Sequence, residues 1–327
     1  MAAEMRFSAN INTFNSCADR YVLSGYGQRY GTEELIRMAA QVRDLSGIEL
    51  VGLWHVNDDN LEAVRRQVSE AGLEVTCVTP DIWASGKWGW GSFAANDPKV
   101  RKAAIQEVKK SMNWARELGC EVVDLWFGQD GYDYPLQTDY LSAWDRLIEG
   151  TIECADAVPD VNLVIEYKPK EPRTHCFVST VGKTLLLLEK VNRPNVGAMV
   201  DVGHALIAYE NVAESAALLH YFGDKLKYMH FNDNWRLWDD DMTVGSVHTL
   251  EMLELLYWLD RVGYRGWYAL DIFPYRENGL RAAEESIAWI KALAGLLDKM
   301  GRDRIAQVIA EGDAMAASAL VREALFS

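Results

Sequence analysis

Eight short runs rich in β-branched and aromatic residues alternate with longer amphipathic stretches along this 327-residue chain. The runs fall at 6–12, 48–55, 73–79, 121–127, 161–167, 196–202, 226–232 and 266–272. Helical patterns separate them. Asp59-Asn60-Leu61-Glu62 reads as a capping box, with Gly72 as the stop. Asp97 before Pro98 opens a second helix that Gly119 ends. Others cover about 33–45, 138–157, 180–192, 212–222, 248–262 and 279–298. Such alternation predicts a parallel sheet with its helices outside, and eight strands close a (β/α)8 TIM barrel. A doubly wound open sheet shows the same rhythm, but no GxGxxG follows the first strand, which disfavours its dinucleotide-binding form. The barrel is expected over 1–300. A helical tail at 301–327 would serve packing or subunit contact.

Composition narrows the partners. No apolar run approaches the roughly 18 residues that a membrane span needs. MAAEMRFSAN lacks a basic region followed by an apolar one, so no secretory signal is expected. Five widely spaced cysteines with no CxxC pair suit free thiols in a reducing, cytoplasmic setting. A formal charge of −15 opposes a nucleic-acid substrate, because a phosphodiester groove needs clustered Lys and Arg. Twelve tryptophans, several at strand ends, suit the walls of a small-molecule pocket. Those that bear on its size are Trp54, Trp83, Trp88, Trp90 and Trp126, with Phe273. The Trp88-Gly-Trp90-Gly segment is a candidate lid or neighbour-contact loop.

In such a barrel chemistry sits at the C-terminal strand ends. The fifth predicted strand ends at Glu166 with Lys168 just beyond, the sixth at Asp201 with His204 close behind, the seventh at His230 and the eighth at Asp271. Acids sharing one barrel mouth repel one another unless a cation relieves them. The set Glu166, Asp201, His230 and Asp271 suits Mn²⁺ best, with Mg²⁺ or Co²⁺ also compatible. A second ion fits Asp201, His204, Asp239 and Asp241, with Asp201 bridging. Separate ion pairs, or a solvated acidic turn at 239–241, are the plainer readings. Lys168 is placed to steady a sugar carbonyl oxygen, unless it is tied up in a structural ion pair. His55, at the second strand end ahead of Asp58 and Asp59, is either a proton carrier for ring opening or a core histidine. His175, His220 and His248 read as surface positions.

These residues bring a known family into view. Glu166-Tyr-Lys168-Pro-Lys-Glu171-Pro172-Arg173 resembles the strand-five signature of xylose isomerases. Trp126-Phe-Gly-Gln-Asp-Gly131 resembles the strand-four loop of the same enzymes, in which the tryptophan walls the sugar site, and His55 matches their strand-two position. Asp201 and His230, the run His230-Phe-Asn with Asp239-Asp240-Asp241 and Val244-Gly245, and Tyr134-Pro135 after the strand-four loop are more similar to L-rhamnose isomerase. The resemblance spans roughly 6–298. It implies a structural metal at Glu166, Asp201, His230 and Asp271, and a catalytic metal at Asp201, His204, Asp239 and Asp241. It also implies a monosaccharide substrate and a homodimer or homotetramer.

The resulting expectation is a metal-dependent aldose–ketose isomerase. Hydride would pass between C1 and C2, with Lys168 polarising the carbonyl and the Asp239/Asp241 site moving the hydroxyl proton. Trp54, Trp126, Glu166, Lys168, His204 and Phe273 would contact the sugar, and His55, Lys168, Asp239 and Asp241 would carry the catalysis. A ketose 3-epimerase on the same barrel is the nearest alternative; it needs carboxylates on both faces of the sugar, where this chain offers the shorter Asp271 and an additional Lys168. An abasic-site endonuclease would call for more histidines and a basic groove. A non-catalytic sugar-binding barrel would normally have lost a metal ligand, and none is missing.

Overall fold

The computed structural model describes residues 5–171 and 173–326, so Pro172 of the strand-five signature lies outside it. Eight parallel strands close into a barrel: β1 (Phe7–Asn10), β2 (Leu45–Val51), β3 (Glu74–Thr79), β4 (Val122–Trp126), β5 (Asn162–Glu166), β6 (Val196–Asp201), β7 (Leu226–Phe231) and β8 (Tyr268–Leu270). Each strand pairs with the next in sequence, and β8 closes on β1 with Phe7 beside Tyr268. The expected (β/α)8 barrel is what the chain forms.

Side-chain alternation explains why closure yields both a core and a site. On β5, Leu163 and Ile165 pack outward among the helices, while Val164 and Glu166 share the inner face. On β7, Met229 and Phe231 go outward, while Tyr228 and His230 go inward. The lower barrel is filled by Cys77, Val164, Met199, Tyr228, Trp267 and Ala269. The outer shell of Leu, Ile and Val between strands and helices supplies most of the stability, each fully buried side chain contributing about 1.5–3 kcal/mol. The polar inner positions sit one layer above, at the C-terminal rim.

The helices are α1 (Thr32–Ala39), α2 (Leu61–Glu70), α3 (Pro98–Glu117), α4 (Tyr140–Ala157), α5 (Val181–Val191), α6 (Val202–Ile207), α7 (Val212–Tyr221), α8 (Thr249–Arg261), α9 (Gly279–Met300), α10 (Arg302–Glu311) and α11 (Ala314–Phe326). Asp97 caps α3 as expected, accepting the Lys99 N–H at 2.8 Å. The capping box expected for α2 does not form. Asn60 is its N-cap, and the Asn60 side chain instead accepts the Asn57 N–H at 2.7 Å. A turn centred on Asn57 has taken that acceptor.

Two further elements escaped the sequence pattern. α6 follows Asp201 without a gap, and its six residues are too few to show periodicity. A small antiparallel sheet joins Gly131–Tyr132, Thr174–Cys176 and Lys170–Glu171, tying the loops after β4 and β5 together. Beyond the barrel, α10 and α11 form the helical tail and add Ile305, Leu320 and Ala324 to the core. No described helix is long and apolar enough to cross a membrane.

Candidate active site

Strand register brings the acids and imidazoles together. Asp201 lies beside His230 in the β6–β7 pairing, and Trp126 beside Glu166 in the β4–β5 pairing. His230 Nδ1 is 3.2 Å from a Glu166 oxygen, 3.8 Å from Asp201 and 3.9 Å from Asp271. Three carboxylates therefore face one ring nitrogen, and Glu166 also groups with Asp201 and His204, their donor atoms lying within 4.8 Å of one another. Donor atoms of Asp201, His230 and Asp271 lie within 4.8 Å of one another.

The second cluster is built by α6. Asp201 Oδ1 accepts the His204 N–H at 2.8 Å, so the strand-end acid also caps the helix that presents the imidazole. His204 Nε2 is 3.1 Å from Asp239 Oδ2, and its Nδ1 is 3.4 Å from Glu166. Gly203 makes the turn possible, since a Cβ there would meet Asn232 Oδ1 at 2.7 Å and Asn234 Nδ2 at 2.9 Å. Asn232 links the clusters: its amide donates to Asp201 Oδ2 at 2.9 Å and to Asp241 Oδ1 at 3.3 Å. Asp241 occupies the left-handed region (φ 45°), which costs a non-glycine residue about 1–3 kcal/mol. It is held there by the Phe273 N–H, which donates to the Asp241 carbonyl at 2.9 Å. Asp240 points elsewhere and accepts the Trp235 N–H, so 239 and 241 alternate inward as expected.

Lys168 enters the same space. Its ammonium is buried, 2.6 Å from Asp239 and paired with Glu171, 5.1 Å from the centre of the Trp126 ring. Burial opposes its charge, but Asp239, Glu171 and Asp241 outweigh that and hold its pKa well above the ordinary lysine value. The reverse holds for Asp239: burial pushes its pKa up, while Lys168 and His204 hold it well below the usual carboxylate range. Asp241 goes the other way, raised by burial and then by Asp239, Asp271 and Asp201. Burial pushes Asp271 up to about 7 and Asp201 up to about 6, with neighbouring acids adding to both. Burial works against a charged His204, yet Asp201 and Asp239 raise it to about 9.

These shifts describe a site overloaded with negative charge. Glu49, Asp124, Glu166, Asp201, Asp239, Asp241 and Asp271 are opposed by Lys168 and two histidines. Asp239 Oδ1 and His204 Nδ1 are buried without a hydrogen-bond partner. Orphaned donor atoms, oxygen-rich chemistry and two overlapping clusters fit divalent cations.

Around them lies a cavity of about 390 Å³. Trp54, Trp83, Trp126, Trp238, Phe273 and Tyr275 supply apolar walls. Trp126 packs edge-on against Trp83, with ring centres 5.0 Å apart. Asn10 and Asn12 add amides, and Asn10 donates to Asp271 at 3.1 Å.

A model of the xylose isomerase-like TIM barrel family matches residues 37–293. The chain belongs to that family. Among solved structures the fold is similar to a D-tagatose 3-epimerase-like protein (TM-score 0.68, 18% identity, 90% of this chain and 98% of that one). It is similar to an L-ribulose 3-epimerase (TM-score 0.70, 14% identity, 94% and 98%). It also resembles the D-psicose 3-epimerase of Clostridium cellulolyticum H10 (TM-score 0.68, 15% identity, 88% and 99%). At such identities the likeness is one of fold. The particular closeness to L-rhamnose isomerase drawn from the sequence finds no support in these neighbours, which are named as ketose 3-epimerases or a protein like them.

Within this family barrel the expected site residues divide clearly. Glu166, Lys168, His204, His230, Asp239, Asp241, Asp271, Trp54, Trp126 and Phe273 border the cavity, and Asp201 lies directly beneath them. His55 does not border it. β2 ends at Val51, and the chain turns back so that the Val51 N–H donates to His55 Nδ1 at 2.9 Å. Burial lowers the His55 pKa to about 4, which keeps the ring neutral. Asp58 faces outward, accepting from Lys110 and from Trp114 Nε1. Trp88 is buried and Trp90 is exposed, neither lining the cavity. His248 is no surface residue either: its Nδ1 lies 2.8 Å from the buried Asp233.

Sequence reasoning missed Glu49, Asp124, Asn10 and Asn232. Each is a polar residue on or just after an otherwise apolar barrel strand, and that was the available signal.

Proposed function

We propose that this chain is a metal-dependent aldose–ketose isomerase acting on a monosaccharide. The observation that carries the reading is Lys168: a buried ammonium in the same cavity as both donor sets, 2.6 Å from Asp239. In this reading the first cation is held by Glu166, Asp201, His230 and Asp271, and the second by Asp201, His204, Asp239 and Asp241. Bound there, divalent cations supply Lewis acidity toward neighbouring sugar oxygens. Lys168 donates to the carbonyl oxygen as negative charge builds on it. The Asp239/Asp241 site carries the proton released by the C2 hydroxyl to O1, so the proton lost from one oxygen is the one gained by the other. The C2 hydrogen moves to C1 with its electron pair, so no carbon-bound hydrogen is exchanged with water. Trp54, Trp126 and Phe273 line the apolar side of the pocket.

A second reading, ketose 3-epimerisation, is favoured by Glu166 and Asp271, two carboxylates bordering the cavity from different strand ends, and by the 3-epimerases among the structural neighbours. One experiment separates the two. The protein is incubated with Mn²⁺ and a panel of aldoses and ketoses in D₂O, and products are read by NMR. Aldose-to-ketose conversion without carbon-bound deuterium supports the isomerase. A C3 epimer carrying deuterium at C3 replaces it with the epimerase. Sugar binding without turnover replaces both with a binding barrel.

A further inference from the structure

We propose that Glu49 is a positioning residue whose carboxylate fixes the His230 ring so that Nδ1 faces the cation-binding carboxylates. The inference rests on the reading of His230 as a metal ligand. Glu49 is an inner residue of β2 and only 2% exposed. β2 and β7 are not neighbours in the barrel, so the contact crosses its interior. Glu49 Oε2 lies 3.0 Å from His230 Nε2, and His230 is its only ion-pair partner among the described residues. Its Oε1 is buried with no partner.

A carboxylate with so little compensation is costly at a position that an apolar side chain would fill. What it provides is directional. An imidazole can ligate through either nitrogen, and the acceptor on one nitrogen decides which carries the proton. With Nε2–H donated to Glu49, the Nδ1 lone pair points at Glu166, Asp201 and Asp271, at 3.2, 3.8 and 3.9 Å. The Tyr228 ring, edge-on with its centre 5.8 Å away, limits rotation of the imidazole.

Long-range ¹⁵N–¹H correlation spectra of the full chain with Mg²⁺ test the geometry directly. The His230 signal is assigned by its loss in His230→Ala. We expect a proton on Nε2 and none on Nδ1. Mn²⁺ titration by calorimetry tests the consequence. Glu49→Leu should weaken binding about 10- to 100-fold. Glu49→Gln, whose amide oxygen still accepts from Nε2–H, should stay within a few-fold of wild type. Wild-type spectra with the proton on Nδ1 would overturn the proposal even if Glu49→Leu does not fold, as would unchanged affinity in a folded Glu49→Leu. If His230→Ala binds Mn²⁺ as wild type does, the ligand reading itself fails, which is a separate result.

Discussion

Lys168 and Asp239 meet as a buried ion pair at 2.6 Å, one supplied by the residues after β5 and the other by the loop after β7. Each keeps the other charged against burial, so an ammonium donor and an ionised carboxylate stand ready in one cavity.

Removing that ammonium should strike turnover harder than cation binding. Lys168→Met is expected to lower kcat by about 10²- to 10³-fold, the usual effect of losing one transition-state donor. Mn²⁺ affinity should hold or rise, because Asp239 loses a competing partner. Steady-state kinetics on the aldose converted, with parallel calorimetry, checks both.

His204→Ala and Asp241→Ala should each abolish turnover and reduce bound Mn²⁺ from two ions to one, with far-ultraviolet circular dichroism unchanged. Both side chains belong to the second donor set alone. Two ions per chain in both variants would remove that assignment.

Cation binding should stabilise the fold, and more so as pH rises. Asp201 and Asp271 are raised to about 6 and about 7, and His204 to about 9. The folded, metal-free chain therefore binds protons that the unfolded chain releases. These groups make stability fall as pH climbs from about 4 toward 9. A cation replaces those protons, so the gain in Tm on adding Mn²⁺ should grow between pH 5 and 8. At one hundred times Kd each site contributes about 2.7 kcal/mol. Differential scanning fluorimetry with Mn²⁺ or with EDTA measures the difference.

His55 makes the opposite contribution. Its pKa falls from 6.5 to about 4, so the unfolded chain takes up the proton first on acidification. Stability from this group is complete above about pH 6.5 and is lost as pH falls toward 4, an amount of roughly 3 kcal/mol. His55→Asn, which keeps an acceptor for the Val51 N–H, should flatten that acid limb. Urea unfolding across pH 4 to 7 checks it.

The sequence by itself determined the barrel and the acid and imidazole endings of its last four strands. Those signals are local: period-two alternation marks inner and outer faces, and strand ends mark the rim. For that reason Glu166, Asp201, His230 and Asp271 could be grouped before any distance was known. Tertiary structure alone decided who meets across the barrel. Alternation says that Glu49 and His230 both point inward, but the stagger of strands around the closed sheet sets their heights and so their 3.0 Å contact. The same reason hid Asn232 as the link between the clusters, and it placed Trp238 and Tyr275, rather than Trp88 and Trp90, on the pocket wall. His55 was misplaced because a strand's end is set by a turn, here the reversal after Val51, which period-two alternation does not encode.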